Sequence, residues 1–221
     1  MNPADMDVVR DEFGSAARMG LDAGFDMLEL HMAHGYLLGS FLSPLTNQRG
    51  DAFGGEVENR LRYPLEVLAA VRAIWPRDRP LSVRISASDW MEGGLTDGDL
   101  IVIAQAFKAA GADVLDVSTG QTVPDQHPVY GRMWQTSFSD KIRNEVGIPT
   151  IAVGNIYEAD HVNSIIAAGR ADLCALARPH LTNPAWTLEA AAGQQYHDQW
   201  WPDPYLAGKA QLERNLMRGT T

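Results

Sequence analysis

The sequence predicts an α/β protein in which a parallel sheet is covered by helices. Short apolar runs of strand length alternate with longer stretches of helical spacing. The runs are apolar almost throughout, as strands buried on both faces are. Five such units stand against the eight strands of a closed barrel. Two architectures are therefore open at this point, a doubly wound open sheet and part of a (β/α)8 barrel.

The elements follow in order. From Asp5 to Gly20, the residues Val9, Phe13, Ala16, Ala17 and Gly20 share one helical stripe, and Met27 to His31 reads as the first strand. A polar, Gly-rich loop is expected from Met32 to about Glu56. Val57, Leu61, Pro64, Leu68, Val71 and Trp75 then recur at helical spacings. Proline costs about 3 kcal/mol in a helix interior, so the regular helix is expected to begin near Pro64. Leu81 to Ser86 is the second strand, and Thr96 is placed to cap a helix bearing Leu100, Ile103, Ala104 and Phe107, which Gly111 ends. Val114 to Ser118 is the third strand, followed by a loop from Thr119 to about Gln135 and a helix near Ser137 to Glu145. Thr150 to Val153 and Leu173 to Ala177 are the fourth and fifth strands, separated by a helix around Glu158 to Ala168. Pro184 to Ala192 is a last helix, and residues 193–221 are expected to be an irregular tail of one partial domain spanning 1–221.

Composition narrows the function. The chain has 221 residues, 45% hydrophobic and 21% charged, which is a globular balance. A net charge of −10 opposes nonspecific binding to nucleic acid or anionic lipid. The single cysteine, Cys174, is too little for a disulfide, a cysteine-ligated iron–sulfur cluster or a four-cysteine zinc site. No apolar run has membrane-spanning length, and Met1 to Asp5 has no signal-peptide character, so a cytoplasmic protein is expected.

In both architectures functional groups collect past the C-terminal ends of strands. There stand His31, His34 and Tyr36, then Arg84 within the second strand, Ser118 and Gly120 after the third, Gly154 and Asn155 after the fourth, and Ala177 and Arg178 after the fifth. The histidines lack a third ligand at metal spacing. They read either as loop histidines with satisfied hydrogen bonds or as imidazole donors to one substrate oxygen, with the Tyr36 phenol as a proton source. A cation on an apolar strand needs an anion, which Glu29, Asp116 or a bound anionic cofactor would supply to Arg84. Gly154 and Asn155 with Ala177 and Arg178 read as a phosphate site, against an ordinary tight turn and a surface cation.

The run from Ala23 to Leu38, AGFDMLELHMAHGYLL, resembles the old yellow enzyme family of FMN-dependent oxidoreductases. So do Phe41 to Arg49, Gly54-Gly55, Glu58 to Arg60, Val83 to Ser86, Val117 to Gly120, Gly154 to Ile156 and Ala175 to Pro179, in the family's order. The stretch from Gly154 to Pro204 resembles the C-terminal reductase half of bifunctional monooxygenase-reductases acting on 2-aminobenzoyl-CoA or salicylyl-CoA. The resemblance implies a (β/α)8 barrel of which strands four to eight are present, so a chain truncated at its N-terminus is expected.

It implies FMN as cofactor, with NADH or NADPH as hydride donor. His31 and His34 would hold a substrate carbonyl oxygen, and Tyr36 would donate the proton. Arg84 would face the N1/O2 edge of the flavin, and Gly154, Asn155, Ala177 and Arg178 would hold its phosphate. Ser118 and Gly120 would line the substrate mouth. At Ala177 many relatives carry glycine. No metal and no iron–sulfur cluster are implied, and the substrate would be a small molecule, an enone or an aryl-CoA. The alternatives are a noncatalytic fragment, or a subunit completed by a partner chain or a further copy. An isomerase or aldolase would need a Schiff-base lysine, and none of Lys108, Lys141 and Lys209 directly follows a strand.

Overall fold

The computed structural model describes residues 1–219. Strands β1 (Leu28–Met32), β2 (Leu81–Ser86), β3 (Val114–Ser118), β4 (Thr150–Val153) and β5 (Leu173–Ala175) form one parallel sheet in the order β1-β2-β3-β4-β5. Each strand lies beside its neighbour in sequence, so the order never reverses. A doubly wound sheet requires a reversal, whereas a sheet that always steps the same way is the wall of a (β/α) barrel.

The two faces of the sheet differ. Leu30, Met32, Leu81, Val83, Ile85, Leu115 and Val117 are buried on the helix side. They pack with residues from α3 (Val57–Arg72), α4 (Asp97–Ala109) and α5 (Thr136–Val146), among them Leu68, Val71, Ile103, Phe107 and Ile142. The strand period of two turns the intervening residues to the inner face. Those are Glu29, His31, Ser82, Arg84, Ser86, Val114, Asp116 and Ser118, all polar but Val114. The first three strands thus carry an apolar outer face that folds the chain and a polar inner face left for chemistry.

Helix ends follow local sequence. In α1 (Pro3–Asp22) Asn2 and Asp5 form a capping box, and Thr96 and Asp99 form another at the start of α4, as expected for Thr96. Four expectations are corrected. Helix α3 begins at Val57, not near Pro64, which lies inside it. Its first turns are anchored by burial of Val57, Leu61 and Tyr63, by the Tyr63 hydroxyl donating to the Met6 carbonyl, and by Arg60, which binds the Leu42 and Gly55 carbonyls. That packing offsets the proline. The loop after β1 contains a short helix, α2 (Leu37–Leu42), whose Leu38, Phe41 and Leu42 are buried. Strand β5, which follows α6 (Ala159–Ala167), ends at Ala175 rather than Ala177. The tail expected to be irregular carries a 3-10 turn (Asp203–Tyr205) and α9 (Leu206–Met217). Trp200, Pro202 and Pro204 mask that helix in the sequence, while Lys209 fastens it by donating to the His197 carbonyl at 2.8 Å.

The chain forms two compact units. One comprises residues 1–156 and 161–175, with the whole sheet; the other comprises residues 157–160 and those from 176 onward. In the second unit α7 (Arg178–Thr182), α8 (Trp186–Gly193) and α9 follow one another, and the Trp186 indole donates to the Tyr157 carbonyl. No helix among the described residues is long and apolar enough to cross a membrane.

Candidate active site

His31, Arg84 and Asp116 are register partners on β1, β2 and β3. Register partners project to one face, so an imidazole, a guanidinium and a carboxylate share one row of the inner face. Ser86 and Ser118 form the next row toward the C-terminal end. The question of Arg84's partner is settled by distance. Its Nε lies 3.6 Å from Asp116 Oδ2, whereas Glu29 accepts from the Ser82 hydroxyl at 2.8 Å.

Just past β1 the backbone turns sharply. His34 has φ 58° and Gly35 has φ 69°. A side chain on Gly35 would meet the Gln121 carbonyl oxygen at 2.9 Å and that of Thr122 at 3.1 Å, so only glycine lets the two loops close together. The His34 N–H donates to Ser86 Oγ at 2.9 Å, and the Ser86 hydroxyl donates to the Gly120 carbonyl at 3.0 Å. His34 Nε2 lies 2.6 Å from Ser118 Oγ. Three strand ends are thereby tied at one residue, the β2 end through the His34 backbone and the β3 end through its imidazole. The His31 ring stands 5.0 Å from that of His34 and 5.3 Å from that of Tyr36, centroid to centroid. Tyr36 itself is 65% exposed, at the start of α2.

Burial and charge lower the proton affinity of both imidazoles. Burial, with the Arg84 cation adding to it, lowers the His31 pKa, while Glu29 opposes the change. His34 is pushed down to about 4, first by burial, then by Arg84 and His31. Asp116 is pushed up to about 6 by burial, against the pull of Arg84.

A stability prediction follows from His34. Between pH 6.5 and 4 the unfolded chain takes a proton that folded His34 refuses, so stability held above pH 6.5 is lost as pH falls toward 4. Discounted for partial exposure, the loss is roughly 2 kcal/mol. His34→Asn is expected to flatten the stability–pH profile over that range relative to the parent chain, measured by urea unfolding at stepped pH. Parallel profiles would contradict the assignment.

The Gly154–Asn155 turn lies at the end of β4 and is held by different residues. Gly154 has φ 110° and Asn155 φ 53°. Asn155 Nδ2 donates to the Gly131 carbonyl at 2.7 Å, and the Met133 N–H donates to the Asn155 carbonyl at 3.2 Å. Ala177 and Arg178 belong to the second unit, where Ala177 precedes α7 and Arg178 is its first residue. The structure thus brings His31, His34, Tyr36, Arg84, Ser118 and Gly120 together, with Gly154 and Asn155 on a neighbouring strand end. Two further residues are central here. Ser86, just past Arg84, takes a role the sequence does not assign it, joining the loops, and Asp116 is the partner of Arg84 that the sequence offers beside Glu29. The register of β2 against β3 brings both into place.

The flavin that the resemblance implies fits these residues. Arg84 Nε and Asp116 Oδ1 are buried without a hydrogen-bond partner. A guanidinium held only at ion-pair distance keeps donor capacity toward the inner face, as the electron-rich edge of a flavin requires. The Gly154 turn suits a phosphate, since successive backbone N–H groups of a turn at a strand end make an anion-binding concavity.

Residues 1–197 match the model of the NADH:flavin oxidoreductase / NADH oxidase family. The chain is 44% identical over 208 residues to an NADPH dehydrogenase of Geobacillus sp. (strain WCH70), covering 90% of this chain and 60% of that protein. It therefore spans well under two thirds of that relative's length. Among solved structures, a 2-naphthoyl-CoA reductase in complex with 2-naphthoyl-CoA superposes with a TM-score of 0.82 at 28% identity, covering 87% of this chain and 30% of that one. Morphinone reductase in complex with tetrahydroNAD gives a TM-score of 0.69 at 28% identity, covering 86% and 51%. The histidine pair, the inner-face arginine and the glycine turn stand on the fold these proteins share, and the chain belongs to the NADH:flavin oxidoreductase / NADH oxidase family.

Proposed function

We propose that this chain carries the flavin and substrate site of an ene-reductase-type oxidoreductase that reduces an activated alkene or a dearomatised aryl-CoA ring. The observation that supports it most is the pair of imidazoles of lowered proton affinity beside an exposed phenol, one strand from a guanidinium whose buried Nε has no hydrogen-bond partner. FMN, when bound, supplies a hydride taken from NADH or NADPH. Arg84 would hold the N1/O2 edge of the ring. Gly154 and Asn155 would offer backbone N–H groups to its phosphate, and the family pattern adds Ala177 and Arg178 to that role.

The chain's own residues would do the rest. With the Ser118 hydroxyl as donor to His34 Nε2, the ring proton would stand on Nδ1 and serve a bound acceptor. His31 and His34 would donate to the substrate carbonyl oxygen, where negative charge grows as hydride arrives. The Tyr36 phenol would give its proton to the carbon next to the carbonyl, and Ser118 and Gly120 would border the substrate. Similarity to proteins named NADPH dehydrogenase and 2-naphthoyl-CoA reductase supports the donor and, for an aryl-CoA, the acceptor. The reading places the protein in the cytoplasm, where NADH and NADPH are regenerated.

One observation favours a second reading, in which a partner chain, a further copy or additional polypeptide completes the barrel. Leu173, on the inner face of β5, is 55% exposed. Titration of the purified chain with FMN separates the two. A yellow protein that bleaches with NADPH and turns over an enone supports the enzyme. In that case Tyr36→Phe is expected to slow turnover about 100-fold with flavin bleaching unchanged. A colourless protein contradicts the enzyme reading and favours the second.

A further inference from the structure

We infer that Gln135 is the positioning residue of the phosphate turn, acting through Gly154 rather than on the ligand itself. The inference rests on the assignment of the Gly154–Asn155 turn to phosphate. Gln135 is 4% exposed, at the end of the long loop before α5. Its Oε1 accepts from the Thr119 hydroxyl at 2.6 Å, and its Nε2 donates to the Val153 carbonyl at 2.9 Å. Thr119, itself buried, follows the last residue of β3, and Val153 is the last of β4. One carboxamide therefore bridges the ends of two adjacent strands.

The same carboxamide closes over Gly154. A Cβ built on Gly154 would enter the Gln135 amide, with Cδ at 2.9 Å and Cγ at 3.1 Å. The glycine thus does two things, adopting φ 110° and admitting the glutamine. With the Val153 carbonyl taken by Nε2, the Asn155 carbonyl by Met133 N–H and the Asn155 side chain by Gly131, the loop 131–135 grips the turn at three points. Both flanking carbonyls are drawn to that loop, and the side-chain amide is occupied with it. The turn's backbone N–H groups remain the groups available to an anion, and their direction is set by Gln135. Thr119 sets which end of the carboxamide faces Val153, because its hydroxyl is committed to Oε1.

The test compares FMN with riboflavin, which lacks the phosphate, by fluorescence-quenching titration of the whole chain. Gln135→Met keeps length and loses both hydrogen bonds, and Thr119→Val keeps shape and loses the orienting hydroxyl. The parent chain is expected to bind FMN at least tenfold more tightly than riboflavin. Gln135→Met is expected to raise the FMN Kd about tenfold and Thr119→Val about threefold, with the riboflavin Kd within twofold of the parent's in both. If Gln135→Met does not fold, Thr119→Val carries the comparison alone. A parent preference for FMN that survives in the variants, or a parallel loss of both ligands, overturns the positioning role while leaving the phosphate turn intact. A parent chain that binds both ligands equally overturns the phosphate assignment, and the role of Gln135 with it.

Discussion

Arg84→Met is expected to weaken FMN binding at least tenfold and to destabilise the chain by a pH-dependent amount. Arg84 is the cation that draws the buried Asp116 carboxyl down, and burial already holds Asp116 at about 6. Without the guanidinium, only burial and Glu29 remain, and both raise that pKa further. A raised folded-state pKa means the folded chain keeps a proton that the unfolded chain has released. Stability is then fully present below pH 3.8 and falls as pH rises through the folded pKa. The destabilisation by Arg84→Met is therefore expected to be small near pH 4 and about 2 kcal/mol near pH 8. Urea unfolding at the two pH values measures it, and FMN titration measures the affinity. An unchanged Kd would separate Arg84 from the flavin, and a pH-independent loss would separate it from Asp116.

His34→Ala is expected to slow enone reduction about 100-fold while FMN affinity stays within about threefold. Removing one donor from a preorganised oxyanion site typically costs 10²–10³ in rate. His34→Asn, which retains an N–H donor of similar reach, is expected to recover most of the rate. Stopped-flow measurement of the alkene-reducing step distinguishes the outcomes. Equal losses in both variants would show that the imidazole serves to hold Ser118 at the end of β3 rather than the substrate.

What was legible in the sequence was the outer face of the sheet. Leu81–Ser86, Val114–Ser118 and Thr150–Val153 stand where their apolar runs placed them, because burial between sheet and helices dictates those residues. The histidines and tyrosine were legible for another reason. Within one short turn, local backbone alone suffices to bring His31, His34 and Tyr36 together. Relations between distant segments were not legible. Arg84 choosing Asp116 over Glu29 depends on strand register, and the junction of Thr119, Gln135 and Val153 depends on where a long loop returns. Helix α3 running through Pro64 depends on tertiary packing that overrides propensity. In α9, the local signal was present but hidden behind the Trp- and Pro-rich segment before it.

The central claim is that an imidazole pair and a phenol at the end of β1, with a guanidinium on the inner face of β2, serve a single flavin and its substrate. A crystal structure of the chain with FMN and a small enone tests it most directly. The account requires the flavin ring against Arg84 and the enone oxygen within hydrogen-bond reach of His31 and His34, with Tyr36 on the side of the reacting carbon. A flavin bound away from Arg84, or an enone whose oxygen turns from both histidines, would contradict it.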